Sequence, residues 1–128
     1  MKLPIIVAEG PTCILFFTSV ENAESLEAID VSAGIYRAWD AEGRPIDLLV
    51  ERKREGWFFV REETVVRCDE SRSKQADELR QLLLNLLGRI GISDKQDASL
   101  EEIVRIAMEH GDVDWGRPPD AAPASGIH

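Results

Sequence analysis

The sequence predicts an α+β domain in which an antiparallel meander of four to five strands packs against two or three helices. Three observations carry that expectation. Cys13–Phe17 is an unbroken apolar run with the composition of a buried strand, and between Ile35 and Cys68 apolar residues recur with a period of two. From Ala76 onward they recur at the three-four spacing of one helix face. The chain has 128 residues, 44% of them apolar and 30% charged, a composition suited to a packed core. Surface scaling for this mass gives ~6,800 Å² folded against ~20,700 Å² extended, which is one domain.

Each element follows from local chemistry. Cys13–Phe17 is closed off by Pro11 and by Thr18-Ser19. Ser19 then caps a short acidic helix from Val20 to about Asp30. Val20, Ala23, Leu26 and Ile29 form its apolar stripe, and Glu21, Glu24 and Glu27 a neighbouring charged one. Ile35–Trp39 is the next strand, and Asp40-Ala41-Glu42-Gly43 has Asp and Gly at the first and last positions of a type I turn. Pro45–Glu51 follows, with proline tolerated at a strand start. Arg52–Gly56 reads as a second turn, Trp57–Val60 as a third strand and Thr64–Cys68 as a fourth. Ala76, Leu79, Leu82, Leu83, Leu86, Leu87 and Ile90 mark a helix over 72–90, with Asp69, Ser71 and Ser73 as cap candidates. Ser99-Leu100-Glu101-Glu102 is a capping box that opens a helix over 100–110, ending at Gly111. The domain spans 1–111, and the Pro/Ala-rich 112–128 reads as a flexible tail.

Charge and composition narrow the function. Fifteen Lys and Arg against twenty-four Asp and Glu leave a net charge of −9, which disfavours nucleic acid as a partner. The one basic region is 52–74, where Arg52-Lys53-Arg54 lie beside Trp57, followed by Arg61 and Arg67. Two cysteines, Cys13 and Cys68, are too few for a disulfide framework. The N-terminal apolar run is cut by Glu9-Gly10-Pro11, and no stretch is long enough to span a bilayer, so a cytoplasmic location without a membrane partner is expected.

Groups suited to catalysis are scarce. His110 sits in the last turn of its helix, where a cation complements the dipole, and His128 ends the tail. No nucleophile elbow, phosphate loop or metal-ligand spacing is present, so no catalytic residue, metal or cofactor is assigned. Glu21, Glu24 and Glu27 are candidates for partner binding, with Tyr36, Trp39 and Trp57 as aromatic anchors. Tyr36 and Trp39 point to opposite faces of their strand, so at least one large aromatic faces outward unless both faces are covered.

The stretch Phe17–Val31, followed by Gly34–Arg44, resembles a pattern in small uncharacterised bacterial proteins: an apolar strand, a short acidic helix and a hairpin with a Gly-Arg turn. Some proteins of this size and acidity are similar to immunity proteins, which neutralise a toxin made by the same cell. The resemblance covers residues 13–67 and implies a binding role with no active site. The expected function is therefore a non-enzymatic, acidic, protein-binding domain of immunity type, with homo-oligomerisation compatible with it. The alternative is a small carboxylate-dependent enzyme or ligand-binding domain with a cleft on the sheet.

Overall fold

The computed structural model describes residues 1–57 and 59–114. Along the chain these form β1 (Ile5–Glu9), β2 (Cys13–Phe17), α1 (Val20–Ala23), α2 (Ala28–Ser32), β3 (Tyr36–Trp39), β4 (Pro45–Glu55), β5 (Phe59–Cys68), α3 (Ala76–Arg89), α4 (Leu100–His110) and β6 (Asp112–Val113). The strands make one sheet in the order β5-β4-β3-β1-β2-β6. Every pairing is antiparallel except β2 with β6, which is parallel. The class is α+β. Among the described residues the sheet has six strands rather than four to five, and there are four helices rather than two or three.

The centre of the sheet is buried on both sides. Side chains alternate along β1 and β2, so Ile6, Ala8, Ile14 and Phe16 join Trp39 under Leu79, Leu83 and Leu87 of α3 and Ile103 and Ala107 of α4. Ile5, Val7, Leu15 and Phe17 join Ala38, Ile46 and Val66 on the other face, under Ala23, Leu26 and Val31. Covering both faces explains why β1 and β2 read as continuous apolar runs instead of alternating ones. It also explains the placement of Trp39, which is only 2% exposed and donates its indole N–H to Gln75 Oε1 at 3.0 Å.

Four expectations from the sequence are revised. Ile5–Glu9, read only as too short for a targeting segment, is a strand at the middle of the sheet. The acidic helix is two short helices, α1 and α2, joined through Leu26. A recurrence of strictly three residues drifts about 60° per step around a helix, so Val20 and Ile29 would stand on opposite sides. The chain breaks instead, Val31 is buried and Ile29 is 74% exposed. Arg52–Glu55 extends β4, and the two last meander strands are one, β5; the turn between them is at Gly56, whose φ is +72°. Finally, α3 begins at Ala76 with no side-chain cap: the side-chain oxygen of Gln75, at the cap position, accepts from the Trp39 indole at 3.0 Å, and the Gln75 backbone amide donates to the Gly43 carbonyl at 2.7 Å. Asp69 instead folds a local turn, accepting from the Ser71 amide at 2.9 Å and hydroxyl at 2.6 Å.

Other expectations hold as local chemistry. Ser99 caps α4 by accepting from the Glu102 amide at 3.1 Å. The Asp40–Gly43 turn closes with the Gly43 amide on the Asp40 carbonyl at 3.1 Å, and the buried Asp40 carboxylate accepts from the amides of Glu42 and Arg44, each at 2.9 Å. Gly43 is required here. Its φ is +88°, and a Cβ on it would lie 2.7 Å from the Ala76 backbone. One boundary is also revised: residues 112–114, assigned to the tail, continue the sheet. Asp114 accepts from the Thr18 amide at 2.8 Å and hydroxyl at 2.7 Å, fixing β6 beside β2. The remainder of the expected tail, with His128, lies outside the described residues.

Candidate partner-binding surface

β4 and β5 pair in unbroken register from Ile46 opposite Cys68 to Glu55 opposite Phe59. Their inner halves carry Ile46, Leu48, Val50 and Val66, which pack on the core. Their outer halves do not. Glu51–Arg54 and Phe59–Glu62 are all exposed, so the hairpin projects from the body as an arm. Trp57 is 92% exposed, Phe59 72% and Val60 59%. Neighbouring apolar groups left in water on one protruding element are the ordinary mark of an interaction site.

The arm is held by its own charges. Lys53 Nζ lies 2.9 Å from Glu63 Oε2, Arg61 pairs with the same carboxylate, and Arg67 reaches Glu51 at 3.2 Å. The Lys53 hydrogen bond, helped by the Arg61 charge, holds the Glu63 carboxyl below its ordinary value of 4.5. Such exposed pairs fix geometry more than they stabilise.

At the root of the arm, Glu21, Glu24 and Glu27 meet Glu62 and Glu63 around one shallow cleft with Leu26 and Thr64 at its base. Two hydrogen bonds attach this corner to the edge strand. Glu24 Oε2 accepts from the Val66 amide at 2.9 Å, and the Thr64 hydroxyl donates to the Leu26 carbonyl at 2.7 Å. Glu24 is thus partly structural, whereas Glu21 and Glu27 are exposed.

The six candidate residues fall in different places. Glu21, Glu24 and Glu27 converge on the cleft, and Trp57 stands on the adjoining arm. Tyr36 is half-buried beneath α2, its hydroxyl pushed up by burial and by Asp30 and Glu9. Trp39 is on the opposite face inside the core, so it offers no surface to a partner. Sequence reasoning missed Phe59, Val60, Glu62 and Glu63. Phe59 and Val60 were hidden in an apolar run that reads as a buried strand. The available signal was the flanking pattern: Glu51–Arg54 and Arg61–Glu63 are charged on both faces, which no core-packed hairpin allows.

Among the described residues no group of three or more His, Cys, Asp or Glu is placed to hold a metal ion. None of their helices is long and apolar enough to cross a membrane. No family model, curated protein or solved structure matches this chain.

Proposed function

We propose that this chain is a non-enzymatic protein-binding domain that grips its partner between the arm and the acidic cleft. The observation that carries the reading is the exposure of Trp57, Phe59 and Val60 on an arm whose described side chains contribute nothing to the core, in a chain that buries Trp39, Phe16 and Phe17. Aromatic anchors supply the lasting part of an interface. Glu21, Glu27 and Glu62 beside them supply a negative field, which favours a partner presenting Arg and Lys and orients its approach. The concrete form of the proposal is an inhibitor of immunity type, covering the basic surface of a toxin from the same cell.

The test is affinity capture from an extract of the source cell with the chain and with Trp57→Ala. A discrete basic protein retained by the first and lost from the second is the expected result. Expressed alone it should impair growth, and co-expression of the chain should restore it. Retention of the same proteins by both baits would remove the arm from the interface.

A further inference from the structure

We propose that two copies of this chain pair antiparallel along the outer half of β5, about a two-fold axis at Val60, each arm turn lying against the Glu21–Glu24–Glu27 cleft of the other. The proposal rests on the arm and cleft being the binding surface, and names a resting occupant for it: a second copy.

The backbone supplies the first argument. Val66 gives its amide to the Glu24 side chain, so that amide points off the sheet edge instead of toward β4. In an unbroken antiparallel ladder every second residue does the same, which places the amides of Thr64, Glu62 and Val60 along the edge. The α1–α2 corner covers this edge at Val66 and Thr64. β5 ends the sheet, and among the described residues no strand pairs with the edge it turns away from β4. Edge strands are normally blunted by proline, charge or a bulge; here Arg61–Glu63 carry charge, but Phe59 and Val60 leave an apolar length of open edge beyond them that invites another strand.

Charge selects the register. Edge-pointing residues must face each other, which an axis at any residue of the exposed stretch Phe59–Glu62 satisfies; one at Phe59 pairs only residues 56–62, two fewer than one at Val60, and ends before the α1–α2 corner. An axis at Arg61 sets Arg61 against Arg61, and one at Glu62 sets Glu62 against Glu62, both unfavourable pairs. An axis at Val60 sets Val60 against Val60 and Phe59 against Arg61 twice, an apolar contact flanked by two cation–aromatic ones.

The same register explains the fit at the ends. Gly56 comes opposite Thr64 of the second copy, where the α1–α2 corner stops further pairing. Arg54, Gly56 and Trp57 share one hollow at the arm turn, and Arg52-Lys53-Arg54 and Arg61 leave Glu55 as the single carboxylate between 52 and 61. The cationic end of each arm therefore arrives at the five-carboxylate cleft of the other copy. In this dimer the arm stands in for the basic partner, which must displace it.

Sedimentation velocity on the full chain, across a concentration series, tests the pairing. A monomer–dimer equilibrium is expected, shifted at least tenfold toward monomer by Val60→Pro, whose missing amide serves no bond to β4. Engineered disulfides test the register. Val60→Cys should cross-link on mild oxidation, since facing Cα atoms lie about 5.5 Å apart. Glu62→Cys should not, because four residues of stagger separate its copies by more than about 13 Å. A chain monomeric at all concentrations, a dimer indifferent to Val60→Pro, or equal cross-linking at Glu62 would each overturn the proposal. A monomeric chain that still captures a basic protein through Trp57 would overturn self-pairing alone and leave the binding surface standing.

Discussion

At the scale of single residues, the two described tryptophans make opposite predictions. Trp39 fills the interface between the sheet and α3 and spends its indole N–H on Gln75, so Trp39→Ala should cost about 3–5 kcal/mol. Trp57 touches no core residue, and Trp57→Ala should change stability by less than about 0.5 kcal/mol. Urea titrations of both variants check this, and equal losses would mean that the arm packs on the body. Glu63 predicts a dependence on pH. Its carboxyl is held low by Lys53 and then Arg61, so the folded state favours the charged form. Its contribution is present above the ordinary value of 4.5 and is lost as pH falls through the lowered one. The urea midpoints of the wild type and Glu63→Gln should therefore differ at neutral pH and converge in acid. A constant difference would trace the effect to packing rather than charge.

At the scale of elements, the arm is separable from the fold. Residues 53–55 pair with 59–61, and none of the described arm side chains joins the core, so replacing Lys53–Arg61 by Asn-Gly, a two-residue hairpin turn, should preserve cooperative unfolding and abolish partner capture. Loss of folding in the shortened chain, seen by circular dichroism, would show that the arm nucleates or supports the sheet. Elements were legible in the sequence where one physical signal dominated. Ser99 and the apolar stripe of α4 located that helix, and Asp40 and Gly43 located their turn, because capping and turn chemistry are local. The acidic helix was misjudged because its stripe keeps a period of three and drifts off one face. β1 and β6 were missed for a different reason. Ile5–Glu9 is short and takes its hydrogen bonds from β2, the next strand along the chain, and from β3, while Asp112–Val113 is a strand only because the distant β2 supplies its hydrogen bonds. The candidate site was half legible: its glutamates lie close in sequence, but Glu62 and Glu63 reach them only through the return of β5.

At the scale of the whole molecule, a net charge of −9 acts on every encounter, and five of its carboxylates meet at the cleft. Reversing charge there should slow association with a basic partner more than it loosens the complex, because long-range fields govern approach while close contacts govern release. The choice of residues matters. Glu24→Lys would remove the acceptor for the Val66 amide, and a hydrogen bond to a charged group is worth about 1.5–3 kcal/mol, so its effect on binding would be mixed with unfolding. Glu21 and Glu27 are exposed, and reversing each should alter stability by no more than about 0.5 kcal/mol. The Glu21→Lys, Glu27→Lys double variant removes two negative and adds two positive charges at the cleft and should lower the association rate severalfold at low salt. The difference should shrink at physiological ionic strength, where the screening length falls to about 8 Å from about 30 Å at 0.01 M. Trp57→Ala should instead raise the dissociation rate at either salt, since it removes contact area without altering charge. Surface plasmon resonance at the two salt concentrations separates these effects. Identical association rates for wild type and double variant at low salt would mean that the cleft is solvated surface, and the partner would then be held by the arm alone.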